Sequence, residues 1–326
     1  TLHVINVLKD GPGFKAGILT GDKFIQVNDS AVAGNNTSSD VFRTLLRGDR
    51  GTKVSITFLR NNEKKQATIT RDAIPLSSID AGYMMTKETG YIRLNKFSSV
   101  TYREFMETLE TLNKAGLQKL VLDLRGNGGG ILDQAVEIAD EFLEGDKLIT
   151  YTEGKHIAKK EYRCRRNGQF EKGALVVLVD EGSASASEVL VGALQDWDRA
   201  TIIGRRTFGK GLVQEQFDLS DKSALRLTVA RYFTPVGRSI QRSYSNGGKA
   251  YYEEIDNRFQ DGKMTQADSV NTDPGKVYKT MGGKKVYGNG GITPDYFIAI
   301  DTAGFSKNSA MIYEKGTIAN FAYNFY

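Results

Sequence analysis

The chain has 326 residues, 40% of them hydrophobic and 25% charged, with a net charge of +5 at pH 7, an ordinary globular composition with room for two domains. Lys and Arg are interspersed with acids rather than blocked, which argues against a nucleic-acid partner, and no apolar run reaches the roughly 18–20 residues that cross a bilayer. One cysteine, Cys164, and two distant histidines, His3 and His156, offer neither an internal disulfide nor metal-ligand spacing, so no metal or other cofactor is expected.

Residues 1–72 predict a small β-rich unit. Leu2–Leu8 reads as a strand, Asp10–Gly13 as a turn, Phe14–Ile18 as a helical turn and Phe24–Asn28 as a second strand. Thr37–Leu46 reads as a helix, with Ser38 or Ser39 as its cap and Val41, Phe42, Leu45 and Leu46 on its apolar face. Lys53–Leu59 and Gln66–Thr70 alternate at period two and pair about a charged tip, Arg60–Lys65. From residue 73 the pattern becomes α/β. Strands are expected at 90–94, 120–124, 175–179 and 200–203, and helices at 101–112, 131–142 and 185–195. Leu225–Phe233 reads as a hairpin strand, and the polar, glycine-rich stretch 251–291 as a long surface loop.

Three stretches carry candidate chemistry. Leu124–Gly130 (LRGNGGG) follows a buried strand and precedes a helix. Its glycines leave backbone N–H groups unhindered beside a helix N-terminus, which suits a strained turn, an oxyanion or a phosphate; no G-x-x-x-x-G-K-[ST] pattern supports the phosphate. Gly182–Glu188 (GSASASE) places Ser183, Ser185 and Ser187 at a strand-to-helix turn. Such serines either cap the helix or present a nucleophile whose next N–H serves an oxyanion; Glu188 reads as a capping carboxylate. Lys210 lies between Gly209 and Gly211. It is either an exposed turn residue or, if buried, a base, because desolvation disfavours an ammonium. Gln214 lies four residues on and could orient the amine. His3, at the start, and His156, in a charged run, have none of the surroundings of a Ser-His-Asp triad, so lysine is the expected base.

Gly11–Ile18, Gly21–Asn28, the helix after them and Arg50–Val54 resemble a bacterial PDZ domain. The chain reads as opening after the carboxylate loop and peptide-accepting strand of such a domain, as lacking the N-terminal helical segment usual ahead of it, and as having no visible signal peptide. Together with Gly90–Leu94, Asp123–Gly130, Gly182–Glu188, Gly209–Gly211, Gln214, Thr234–Gln241 (TPVGRSIQ) and Gly291–Asp295 (GITPD), these motifs resemble the C-terminal processing peptidases, or tail-specific proteases. The resemblance implies a Clp-protease/crotonase-like α/β core preceded by the PDZ-like domain. The PDZ-like domain then covers 1–72, the protease core 73–300, and 301–326 is a C-terminal segment packing on the core. It implies Ser185 as nucleophile, Lys210 as general base and Gln214 as the residue orienting the lysine. Ala186 and either Gly128 or Gly129 then supply the oxyanion hole. The implied activity is serine endopeptidase cleavage near the C-terminal ends of unstructured polypeptides, through an acyl-enzyme and without a cofactor, in the periplasm or cell envelope. Homo-oligomerisation stays open. Two rivals share the fold: a catalytically silent peptide-binding scaffold and a crotonase-like acyl-CoA enzyme. Intact Ser185, Lys210 and Gln214 count against the first, and the PDZ-like unit against the second.

Overall fold

A computed structural model describes residues 2–34, 38–74, 76–245, 247–265 and 276–301, with isolated positions between 306 and 321. The chain divides into two compact units, Thr1–Leu76 with Thr302–Tyr326 and Ser77–Asp301. The expectation that residues 301–326 pack on the core falls on a segment most of which lies outside the described residues.

The first unit runs β1 (Leu2–His3), α1 (Pro12–Lys15), β2 (Lys23–Val27), β3 (Ser30–Ala31), α2 (Ser39–Leu46), β4 (Lys53–Arg60) and β5 (Glu63–Thr70). Its antiparallel sheet has the order β1-β2-β4-β5, with β3 on β2, around a core of Ile18, Phe24, Val27, Val54, Ile56 and Phe58. Ser38 caps α2, accepting from Val41 N–H. Two expectations are corrected. The strand expected over Leu2–Leu8 ends at His3; Val4 is still tied to Gly21 and Asp22, but Ile5 and Leu8 are exposed. The hairpin tip is not six residues but Asn61-Asn62, both left-handed at φ 52° and 63°, as a tight two-residue turn requires. The charged residues assigned to the tip belong to the strands: Glu63, Lys64 and Lys65 line exposed β5, where charge protects a sheet edge.

The second unit runs β6 (Ile79–Met84), β7 (Thr89–Leu94), α3 (Thr101–Lys114), β8 (Lys119–Asp123), α4 (Leu132–Asp140), β9 (Leu148–Glu153), β10 (Lys160–Arg163), β11 (Ala174–Val179) and α5 (Ala186–Asp196). It continues through β12 (Thr201–Gly204), β13 (Leu212–Asp218), β14 (Ala224–Phe233), α6 (Gly247–Gln260), β15 (Val277–Lys279), β16 (Lys285–Tyr287) and β17 (Tyr296–Phe297). The main sheet has the order β17-β12-β11-β8-β7-β6 and is parallel except for β6; a second, antiparallel sheet has the order β10-β9-β14-β13. The apolar runs of β8 and β11 are explained by their central places in a sheet covered on both faces. In α3, Phe105, Leu109 and Leu112 fall on one buried face, as helical spacing requires. Every residue of α5 is buried, which makes it the central helix of the unit.

The register decides where chemistry gathers. Asp123 pairs with Leu178, and Val179 with Gly204, so β8, β11 and β12 end at one level. The loops that follow them carry the glycine run, the serine turn and Lys210 respectively. Ligands in such sheets bind beyond the carboxyl ends of the strands. A Cβ at Gly204 would lie 1.9 Å from Val179 O, so only glycine lets the strands meet there.

The loop expected over 251–291 is corrected. α6 begins at Gly247 and buries Tyr251 and Arg258, and β15 and β16 form a hairpin. Composition concealed the helix because ion pairs anchor it more than an apolar stripe does. Glu254 on α6 pairs with Arg206, Arg242 and Arg258. Among the described residues no helix is long and apolar enough to cross a membrane.

Candidate active site

The three serines of the turn after β11 have different fates. Ser183 is fully buried, and its hydroxyl donates to Leu124 O at 2.8 Å while accepting from Asp180 N–H. Ser187 is also fully buried and donates to Asn127 O at 2.9 Å. Both are struts between the serine turn and the glycine loop. Ser185 is partly exposed; its side chain is the acceptor of a capping box with Glu188 N–H, and its hydroxyl donates to no group among the described residues. Its backbone sits at φ 58°, ψ −115°, outside the regions open to most L-residues and costing on the order of 1–3 kcal/mol. The turn thus lifts one serine side chain clear at the N-cap of buried α5.

The glycine loop lies directly against that turn. Asn127, fully buried, donates to Leu94 O and accepts from Gly129 N–H; its own carbonyl accepts from Ala184 N–H at 3.0 Å. Asp180 Oδ1 accepts from both Gly126 N–H and Gly182 N–H, joining the two loops again. A Cβ on Gly129 would lie 2.5 Å from Ala184 O and 2.8 Å from Ala186 N. Gly129 N–H is therefore spent on Asn127, whereas the N–H groups of exposed Gly128 and of Ala186 bond to nothing among the described residues.

Lys210 is joined to Ser185 through two other residues. Glu188, fully buried, accepts four hydrogen bonds: from Ser185 N–H at 2.9 Å, Lys210 N–H at 2.8 Å, Gly209 N–H at 2.7 Å and the Thr207 hydroxyl at 2.5 Å. Burial pushes the Glu188 carboxyl up from its ordinary range, and the four donors pull the other way. On the opposite side the buried Tyr232 hydroxyl shares its proton between Ser185 O, at 3.0 Å, and Lys210 O. Burial, reinforced by the Glu188 charge, holds this phenol well above its ordinary range, so it stays a donor. The amide of Gln241 accepts from Gly211 N–H at 2.8 Å, and Arg242 N–H donates to Gly209 O at 2.9 Å. Arg258 reaches back from α6 to the carbonyls of Arg206, Thr207, Phe208 and Gly290. The Lys210 loop is thus fixed on several sides at the backbone.

The structure brings Ser185, Ala186, Gly129 and the Lys210 backbone together. It forms no hydrogen bond between Ser185 Oγ and Lys210 Nζ among the described residues, and the Gln214 side chain is exposed on β13 without a bond to the amine. His156 is exposed.

Sequence profiles give the same division. The PDZ domain profile matches residues 1–70, and that of peptidase family S41 matches residues 88–247. The Carboxy-terminal-processing protease of Bartonella bacilliformis is 36% identical over 246 residues, 74% of this chain and 56% of its own length. The Carboxy-terminal processing protease CtpA of Bacillus subtilis is 35% identical over 240 residues, 73% of this chain and 51% of its own length. The chain belongs to peptidase family S41. It spans about half the length of the curated relatives it matches. A solved S41-family protein from Bacteroides fragilis shares the fold, at TM-score 0.52 and 15% identity over 97% of this chain and 80% of that one. The mixed α/β core preceded by a PDZ domain is therefore the S41 architecture.

Two functional features of this S41 site escaped sequence reasoning. Glu188 was legible as an N3 capping carboxylate, but its hold on Lys210 spans 22 positions of sequence. Tyr232 has no local signal, because it arrives from β14.

Two predictions follow from the struts. Ser187→Ala removes one donor, while Asn127 O keeps Ala184 N–H. It is expected to keep activity and to cost about 1 kcal/mol, seen as an unfolding midpoint lower by roughly 2–4 °C. Gly129→Ala meets both a φ of +91° and a contact of 2.5 Å with Ala184 O. It is expected to cost about 2–5 kcal/mol and to displace the Ser185 turn, so that purified variant shows no turnover. Wild-type turnover by Gly129→Ala would show that the two loops need not touch.

Proposed function

We propose that this protein is a serine endopeptidase in which Ser185 is the nucleophile and Lys210 the general base, cleaving unstructured polypeptides near their C-terminal ends. The observation that carries this reading is the different fate of the three serines: Ser183 and Ser187 donate their hydroxyl protons to buried carbonyls, while Ser185 is strained, donates its proton to no group among the described residues and is tied through Glu188 to the backbone of Lys210.

In this mechanism neutral Lys210 takes the Ser185 proton as Oγ attacks the scissile carbonyl. The carbonyl oxygen becomes an oxyanion held by Ala186 N–H and, because Gly129 N–H is already engaged, by Gly128 N–H. Each such donor contributes about 3–4 kcal/mol to the transition state, and the positive end of α5 adds to it. Lys210 hands its proton to the leaving amine, leaving an acyl-enzyme. Water, deprotonated by Lys210, attacks the acyl carbonyl; the acyl–Oγ bond breaks, the acid leaves and Lys210 returns the proton to Ser185 Oγ. Glu188 and Tyr232 tie the two backbones together, and catalytic hydrogen bonds often tighten only around substrate. Gln214, exposed on β13 in the structure, would accept from the amine in the substrate complex. The S41 relatives named as processing proteases support polypeptide substrates, and the family resemblance supports a place in the cell envelope.

A fluorophosphonate probe tests the reading together with digestion of an unfolded protein. Label mapped to Ser185 and lost in Ser185→Ala, with cleavage lost in parallel, is the expected result. An intact protein that takes no label and cleaves nothing would favour the silent scaffold.

A further inference from the structure

Beside the Lys210 loop lies a second arrangement that the dyad does not use. Arg242 follows Gln241 at the end of the TPVGRSIQ run and is 4% exposed. Its guanidinium carbon lies 4.0 Å from the Phe208 ring centroid and 4.3 Å from that of Tyr251, two rings set edge to face with each other. Nη1 donates to Glu254 Oε2 at 2.5 Å. Nε and Nη2 have no partner among the described residues.

Those two atoms form one edge of the guanidinium. Their N–H bonds run parallel, at the spacing of the two oxygens of a carboxylate, which is the bidentate geometry that sets arginine apart from lysine. A buried cationic donor pair without acceptors is costly and calls for an absent ligand or water. Arg242 also lines a pocket of about 430 Å³ with Leu212, Arg231, Gln241, Ser243 and Tyr244 among its walls. Arg231 is exposed there, forms no ion pair among the described residues, and adds a second positive charge. The pocket opens beside the catalytic loop: Leu212 lies two residues beyond Lys210, and Gln241 holds Gly211 N–H.

We propose that this pocket is a carboxylate subsite, in which the free edge of Arg242, with Arg231, holds an acidic group of the polypeptide substrate next to the Ser185–Lys210 centre. The proposal rests on the reading of that centre as a protease. The carboxylate comes from the α-carboxyl of a chain end or from an Asp or Glu side chain; both present the same two oxygens. The Arg242 edge is closed to bulk water in this state, so binding requires the pocket wall, which includes the exposed Ser243–Ser245, to yield.

Binding is measured by fluorescence anisotropy on full-length Ser185→Ala protein, so that the preference is read whether or not the protein cleaves. Three labelled peptides of one sequence are compared: one with a free C-terminal carboxyl, one carboxamide, and one carboxamide with a single Glu near the end. The subsite predicts at least tenfold tighter binding of the first or the third than of the plain carboxamide. Preference for the first identifies the chain end as the source, and preference for the third identifies the side chain. In Arg242→Gln and in Arg231→Gln the ratio shrinks towards one. Arg231→Gln keeps the test decisive if Arg242→Gln fails to fold, since Arg231 is exposed. Equal binding of all three peptides overturns the proposal. So does a preference that survives both substitutions, which would belong to the PDZ domain. Wild-type protein that binds with the predicted preference but cleaves nothing would refute the dyad and leave the subsite standing.

Discussion

Lys210→Arg is expected to be as inactive as Lys210→Ala, and both as inactive as Ser185→Ala. Arginine keeps the positive charge and much of the length of lysine, but its guanidinium does not give up a proton in proteins. If the position supplied only charge, the arginine variant would retain turnover. If it supplies a base, nothing is left to accept the Ser185 proton, and kcat falls by roughly 10⁴–10⁶, the scale seen when one member of a nucleophile–base unit is removed. Because Glu188 and Gln241 grip this loop by backbone N–H groups, the substitutions leave those contacts in place and unfolding midpoints should stay near that of the wild type. Single-turnover assays on a peptide substrate read the rate directly. An arginine variant within tenfold of wild type would remove Lys210 as base.

The second large effect is expected from an isosteric change, Glu188→Gln. Every partner of this carboxylate is a donor: two backbone N–H groups on Oε2, and one N–H with one hydroxyl on Oε1. Thr207 Oγ1 accepts from Ile292 N–H, which leaves its own proton for Glu188. An amide replaces one acceptor oxygen by NH₂, so two donors face two donors whichever way it is turned. Each buried donor left unpaired costs about 1–3 kcal/mol; the relief of burying no charge offsets part of this. The loss should therefore appear in kcat, by on the order of 10² or more, since small displacements of reacting groups have that effect. Fluorophosphonate labelling of Ser185 should slow with it. A Glu188→Gln enzyme with unchanged kcat would mean that the link between the Ser185 and Lys210 backbones is not what aligns them.

Much of this arrangement was legible in the sequence because it is written locally. β8 runs directly into the glycine loop and β11 within a few residues into the serine turn, and apolar runs bounded by small residues mark both junctions. What could not be read is non-local or carried by polar groups. Tyr232 comes from β14. α6 is held by Glu254 and Arg258 rather than by a hydrophobic stripe, so its polar composition read as loop. Leu2–Leu8 has a strand's composition, yet pairing stops at His3. At the glycine loop the reading stopped at a choice between Gly128 and Gly129. The fact that bears on it, the use of Gly129 N–H by the Asn127 side chain, is a matter of rotamer and hydrogen bond rather than residue type.

The backbone of Ser185 sets conformational stability against chemistry. At φ 58°, ψ −115° it occupies the mirror-image turn region in which glycine is the favoured residue. Ser185→Gly should therefore raise the unfolding midpoint relative to Ser185→Ala, because alanine keeps the Cβ that makes the conformation unfavourable. An equal or lower midpoint for the glycine variant would show that the turn holds no strain. The residue that suits the fold at this position is thus one that cannot attack a carbonyl. If Ser185 is the nucleophile, as proposed, the glycine that would relax this turn would also remove the attacking oxygen.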